Sequence, residues 1–261
     1  MMNIVVCVKE ILDPEIPSKV FQIDPNIKRA IQPPGIELLI SDYDESAVEA
    51  ALRIKDTEDA KVTVVSLGEE STIKVIKRCL AMGADEGILV KRAHQVDESD
   101  GFSTAFILSE AIKKLDKFDL ILCGVQEGDW DGGQVGSGIA EFLNIPSVTM
   151  VARIDVHGNK ALVERVVADG RETVEAPLPA LLTVRSEIGE PRYPSLRRVM
   201  QVSKKEIPVW DSQDMAIPRA MNKILDLIIP HHEAKCEFIQ AESSEEAGVN
   251  LALKLREARL V

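Results

Sequence analysis

The chain has 261 residues, 45% hydrophobic and 28% charged, which is enough for one large domain or one domain with an appendage. A net charge of −12 argues against non-specific binding to nucleic acid or anionic membranes, and aromatic residues at 4% leave no stacking platform for single-stranded nucleic acid. No run approaches the roughly 20 apolar residues of a membrane span, and "MMNIVVCVKE" lacks the basic start and cleavage site of a signal peptide, so a cytoplasmic protein without membrane insertion is expected.

The first half of the chain alternates between two patterns. "NIVVCV" (3–8) is a short apolar, β-branched run, and so are "KVTVVSL" (61–67), "EGILVK" (86–91) and "DLILCG" (119–124). Runs that are apolar throughout fit parallel strands covered on both faces. Residues 13–40, with five prolines and short apolar stretches, read as a β-hairpin excursion after the first strand. In "DYDESAVEAALRIKD" (42–56), Ala47, Val48, Ala51, Leu52 and Ile54 share a helical face, and Asp42, Asp44 and Glu45 suit the positive end of the helix dipole. "ESTIKVIKRCLAMG" (70–83) gives a second helix closed by Gly83, and "GFSTAFILSEAIKKL" (101–115) gives a third. A fourth begins near Gly132 in "GGQVGSGIAEFL". Strand and helix in alternation predict an α/β fold with a parallel sheet and right-handed crossovers.

After residue 145 the runs "SVTMVARIDV", "KALVERVVAD", "RETVEAPLP" and "PALLTV" predict an antiparallel extension with turns at "HGNK" and "DGR". From about residue 200 the chain is polar and punctuated by proline, and it ends in the amphipathic "SSEEAGVNLALKLREARLV". The expected division is a domain over 1–200 and an arm over 201–261 that packs on a partner subunit.

Ligands of open α/β sheets collect at the carboxyl ends of strands, here after Val8, Leu67 and Cys123. The loop after Cys123 reads "GVQEGDWDGGQVG" (124–136), with five glycines and three acids. Glycines let backbone amides approach an anion, and a following helix supplies free N–H groups and its dipole, so a phosphate held by backbone needs few lysines. Asp129 and Asp131 are candidate ribose acceptors or helix caps. The loop matches neither the P-loop nor the G-x-G-x-x-G fingerprint, and a plain glycine-rich turn capping a helix is the competing reading. His94, His157, His231 and His232 share no metal-ligand spacing, and Cys7, Cys79, Cys123 and Cys236 form no CxxC, so neither metal nor disulfides are expected. Cys7 and Cys123 read as core thiols. In "SEIGEPRYPSLRRVM" (186–200), a proline-stiffened polar segment exposes Leu196, a candidate anchor for a partner's pocket or an idle surface leucine.

Taken together, "NIVVCVKEILD", "SDYDESAVEAALRIKD", "LAMGADEGI", the glycine loop, "VERVVADGRETVEAPLPALLTV" and "EPRYPSLRRVM" resemble the electron transfer flavoprotein beta subunit over nearly the whole chain. The resemblance implies a Rossmann-like, nucleotide alpha hydrolase-like fold that carries electrons and makes no bonds by itself. It implies an alpha-subunit partner, acyl-CoA dehydrogenase-type donors and a quinone oxidoreductase-type acceptor. The complex would hold FAD, and the beta subunit AMP or a second FAD. By matching positions, the nucleotide would touch Cys7, the stretch Ser41, Asp42, Tyr43 and Asp44, and Leu67. The loop would add Gly124, Val125, Gln126, Gly128, Asp129 and Asp131, followed by Gly132, Gly133, Gln134 and Val135. Glu190, Pro191, Arg192, Tyr193 and Leu196 fall in the family's docking segment, with Leu196 as the docking leucine.

Two departures from the pattern bear on the nucleotide. Pro14 stands where some relatives carry an aromatic near the flavin, and Trp130 replaces a small residue. "QVG" (134–136) and Asp44 look more like electron-bifurcating members, which would use NADH at a beta-bound FAD, so the second FAD is favoured over AMP. Two rival classes are an ATP-pyrophosphatase-like enzyme, whose SGGxDS loop "CVKEILDPE" does not match, and a stand-alone nucleotide sensor, which would lack both the arm and "EPRYPSL".

Overall fold

The computed structural model describes residues 1–93, 96, 100–213, 215–230 and 236–261; His94, His231 and His232 lie outside the described residues. β1 (Met2–Cys7) opens the chain. β2 (Glu10–Leu12), β3 (Gln22–Asp24), β4 (Arg29–Ile31) and β5 (Leu38–Ile40) form two antiparallel pairs, β2 with β5 and β3 with β4. The expected hairpin excursion is therefore present. Next come α1 (Asp42–Thr57), β6 (Ala60–Gly68), α2 (Ile73–Met82) and β7 (Glu86–Lys91). The alternation ends with α3 (Gly101–Lys113), β8 (Leu120–Gly124) and α4 (Val135–Leu143).

Pairing is parallel from β8 through β1 and β6 to β7. Successive side chains of β1 serve opposite faces, as a strand's period of two requires. Ile4 and Val6 join a layer with Val48 and Leu52 of α1 and Ile76 and Leu80 of α2, while Val5 and Cys7 join a layer with Ile107 of α3 and Ile139 of α4. Helices thus cover both faces, which is why these strands are apolar at every position. Gly83 closes α2 at φ 146°, a conformation that disfavours any side chain.

β9 (Ser147–His157), β10 (Lys160–Val167) and β11 (Gly170–Pro177) form the antiparallel extension. β12 (Ala180–Val184) departs from expectation, because it is not part of that extension. It inserts between β9 and β8, parallel to both, and all five of its residues are buried. The run "ALLTV" serves both core layers, which only an interior position permits: Leu182 and Val184 enter one, Leu181 the other. α4 also starts three residues later than the sequence suggested, because Asp131 and Gly133 adopt left-handed φ values of 52° and 62° that no helix interior accepts.

The next elements are α5 (Leu196–Ser203), β13 (Val209–Asp211) and α6 (Ser244–Glu257). β13 adds to the sheet edge, parallel to β7, and Ile207 and Trp210 pack against the two core layers. The sheet order is β11-β10-β9-β12-β8-β1-β6-β7-β13. The expected arm began at 201, whereas the compact units divide as Met1–Leu227 and Ile228–Val261. Within the second unit, Ser243 and Glu246 cap the start of α6, which has no buried residue. Among the described residues no helix is long and apolar enough to cross a membrane, and no three or more His, Cys, Asp or Glu side chains cluster so as to hold a metal.

Candidate functional site

The chain leaves β1 toward β6 and β7 on one side and returns to β8 on the other, so the order of strands reverses between β1 and β8. A crevice forms at such a switch point, outside the carboxyl ends of the strands. A narrow cleft of about 70 Å³ lies there. Of the residues singled out from the sequence, it brings together Cys7, Asp44, Leu67, Gly124, Val125 and Gln126, with Gly133 and Val135 from the loop's far end. Cys7, Cys123, Val8, Leu67 and Leu108 supply apolar walls, and the first turns of α3 and α4 border it through Gly101 and Gly136. Four backbone N–H groups at each helix start lack an intrahelical partner, so two anion-attracting ends meet at one opening.

Asp44 holds the cleft together. Its Oδ2 accepts the Lys9 N–H and its Oδ1 the Gly124 N–H, both at 2.9 Å, so one buried carboxylate ties the end of β1 to the end of β8. Burial pushes its pKa up from 3.8 to about 7, against the two backbone hydrogen bonds and the Lys9 charge, which favour the ionised form. Gly124 has no room for a side chain: a Cβ would stand 2.6 Å from Asp44 Oδ1 and 2.8 Å from the Tyr43 carbonyl carbon. Gly136 lets α4 approach β12, where a Cβ would meet Thr183 Cγ2 at 2.7 Å.

The acids of the loop have partners, two within it and one at the end of β1. Lys9 Nζ pairs with Asp129 at 2.7 Å, Gln126 Nε2 donates to Asp131 at 2.7 Å, and the Glu127 carboxylate accepts the Gly133 N–H at 3.3 Å. Of the two roles offered for Asp129 and Asp131, ribose acceptor or helix cap, the cap is not formed, since the N-cap of α4 is Gln134 and no side-chain capping bond is made there. Ser41 lies outside the cleft and is fully buried; its Oγ accepts the Gly128 N–H at 3.1 Å. Asp42, Gly132 and Gln134 are exposed, and Tyr43 is half-buried; none of these four lines the cleft. The neighbouring Cys7 and burial push the Cys123 thiol well above its usual range, which suits a wall and not a nucleophile.

A second hollow of about 520 Å³ adjoins the first and shares Leu67 and Arg92 with it. Its walls include Gly128, Asp129 and Trp130 from the loop and Ile11, Pro14 and Phe21 from the excursion. Sequence reasoning missed Lys9, Arg92 and the start of α3. Lys9 and Arg92 lie just past β1 and β7, so strand ends alone would have flagged them.

The segment 186–200 presents Leu196 as the first residue of α5, 74% exposed, with Tyr193 91% exposed. Glu190 is exposed and Pro191 half-buried. Arg192 turns inward, donating from Nε to Glu49 at 2.9 Å and from Nη2 to Asp56 at 2.7 Å.

A doubly covered, mostly parallel sheet with its cleft at the switch point defines a Rossmann-like α/β protein. The family model described as "Electron transfer flavoprotein domain" matches residues 34–215, from the end of the excursion through β13. The chain is 35% identical to an electron transfer flavoprotein subunit beta of Thermoanaerobacterium thermosaccharolyticum over the whole of both chains. It is 37% identical to that of Megasphaera elsdenii over 95% of each. It is 34% identical, over the whole of both, to subunit CarD of a caffeyl-CoA reductase-Etf complex of Acetobacterium woodii. The chain belongs to the electron transfer flavoprotein family, as a beta subunit that works with an alpha subunit.

Proposed function

We propose that this beta subunit binds the adenine dinucleotide of a second FAD across the two adjoining hollows and, in the cytoplasm, relays electrons from an acyl-CoA dehydrogenase-type donor to a quinone oxidoreductase-type acceptor. The observation that carries the nucleotide reading is the cleft itself. Two helix starts and a glycine cradle suit phosphates, apolar thiols and Leu67 suit a base, and the hollow beyond Leu67 and Arg92 has room for the rest of a dinucleotide. Bound there, a flavin would supply a redox centre, while this chain's residues orient it and exclude water. The Acetobacterium woodii relative, named in a complex with a caffeyl-CoA reductase, supports a partner that acts on CoA thioesters. Nucleotides released from the native αβ complex should be FAD alone, two per heterodimer, by mass spectrometry. One AMP and one FAD would overturn the dinucleotide reading.

The exposed Leu196 is the proposed anchor on the donor. Burying a leucine stabilises a contact by roughly 1.5–3 kcal/mol. Leu196→Ala should therefore raise the donor concentration for half-maximal flavin reduction about tenfold or more. Dithionite reduction and nucleotide content should not change. Superimposable donor titrations would return Leu196 to an idle surface residue.

The second unit, Ile228–Val261, is proposed as the arm that packs on the alpha subunit. Its α6 exposes Val249, Leu251 and Leu253, an apolar set that its own unit does not bury. Isolated beta should exchange amide hydrogens rapidly over α6, with protection gained on adding alpha. Equal protection with and without alpha would mean that the arm folds onto this chain instead.

A further inference from the structure

We propose that Glu49 is a positioning residue for partner docking: it clasps Arg192 and so sets the direction in which Tyr193 and Leu196 leave the body of the protein. The inference rests on the docking role proposed for Leu196. Glu49 lies in the middle of α1, is 3% exposed, and has no place in the nucleotide cleft. Its carboxylate accepts four hydrogen bonds. Arg53 Nε donates to Oε1 at 2.9 Å, and Arg192 donates from N and Nε to Oε2 at 3.1 and 2.9 Å and from Nη2 to Oε1 at 3.1 Å.

The two guanidinium groups tie α1 to the segment before Leu196 from opposite sides, Arg53 from the helix and Arg192 from the segment. Arg53 Nη1 donates to the Ile188 carbonyl at 2.5 Å, and Arg192 Nη2 continues to Asp56 at 2.7 Å. Gly189 accommodates the arrangement at φ 119°, since a Cβ there would stand 2.5 Å from Arg53 Nη2. A buried carboxylate is costly unless its lone pairs are filled, so such a cluster persists only when complete. Burial favours the neutral form of Glu49, but the hydrogen bonds from Arg192 and Arg53 outweigh it and hold the carboxyl below its ordinary range. The segment from 188 to 192 is thereby fixed to α1 at both its backbone and its arginine. Beyond it, Ser195 Oγ caps α5 by accepting the Arg198 N–H at 3.3 Å, so Leu196 starts a helix whose origin the clasp has set. Removing the charge leaves Leu196 in place as a side chain but frees its approach, a loss of preorganisation and not of contact.

The test uses the αβ complex carrying Glu49→Gln, with Arg192→Lys as the milder variant and an acyl-CoA dehydrogenase as electron donor. Glutamine keeps the size but lacks the charge that accepts from two arginines; lysine keeps the charge but lacks the fork. In Glu49→Gln, amide exchange should accelerate over 188–196 and not across the sheet. The KM for the dehydrogenase should rise about tenfold with kcat unchanged, as expected on losing a charge-assisted cluster. Arg192→Lys should fall between wild type and Glu49→Gln, and dithionite reduction should be unaffected in both. Unchanged exchange and KM in Glu49→Gln would overturn the proposal. So would faster exchange throughout the chain with loss of nucleotide, because that would make Glu49 a general support of the fold. Faster local exchange with unchanged KM, together with an inert Leu196→Ala, would instead place the error in the docking role and not in the clasp.

Discussion

Gly124→Ala is expected to strip the nucleotide from the beta subunit. The added Cβ would meet Asp44 Oδ1 at 2.6 Å and the Tyr43 carbonyl carbon at 2.8 Å, so the end of β8 and the start of α1 must separate. Separation breaks the Gly124 N–H to Asp44 bond that ties the two strand ends together. Losing a hydrogen bond to a buried charged group costs about 1.5–3 kcal/mol, which corresponds to roughly a ten- to hundredfold weaker site if the cost falls on binding. Gly132 offers the contrast within the same loop. A Cβ there meets Glu127 Oε1 at 2.7 Å, the far end of a side chain that can swing away, so Gly132→Ala should retain its nucleotide. Gly133 stands at φ 62°, and Gly133→Val adds a β-branched side chain to a left-handed backbone, so it should resemble Gly124→Ala. The measurement is nucleotide per heterodimer after gel filtration. Wild-type occupancy in Gly124→Ala would remove the cleft from the nucleotide assignment.

Asp44 should make the complex more stable as the pH falls from 8 to 5. Its folded pKa is about 7, above its ordinary value of 3.8. Between those values the folded chain binds a proton that the unfolded chain does not, so stability falls as the pH rises through the window. Above 7 both states are ionised and the folded state carries the full cost of a buried charge. The largest slope from one such group is about 1.4 kcal/mol per pH unit. Asp44→Asn does not titrate, and it leaves one of the two N–H groups without a partner at every pH. The informative quantity is therefore the difference in Tm between wild type and Asp44→Asn, which should grow by several degrees toward pH 5. A difference that is constant from pH 8 to pH 5 would show that Asp44 is already ionised at its ordinary value in the folded protein.

Both predictions depend on residues whose type was visible in the sequence and whose partners were not. β1, β6, β7 and β8 could be read from "NIVVCV", "KVTVVSL", "EGILVK" and "DLILCG", because a strand buried on both faces must be apolar at every position and that requirement is local. The glycine loop could be read for the same reason: positive φ and close backbone approach restrict the residue type at the position itself. β12 carries the same kind of pattern in "ALLTV", yet its neighbours β8 and β9 depend on how the antiparallel hairpins fold back, and no local period encodes a strand's neighbour. β13 has three residues and is stabilised by the edge it joins, so its pattern is too short to separate from a polar linker.

The site divides along the same line. The strand ends after Val8, Leu67 and Cys123 followed from the pattern, since an open parallel sheet must place its crevice there, whereas Cys7 was implied as a contact only by the family resemblance. The partners of the charged groups did not follow. Asp129, a candidate nucleotide contact, pairs with Lys9, 120 positions away; Arg192, in the candidate docking segment, pairs with Glu49, 143 positions away. Composition and period determined that this chain would form a covered parallel sheet with a glycine-lined opening. Which charges cancel one another around that opening is settled by loop closures across more than a hundred residues, since a hydrogen bond reads distance in space and not along the chain.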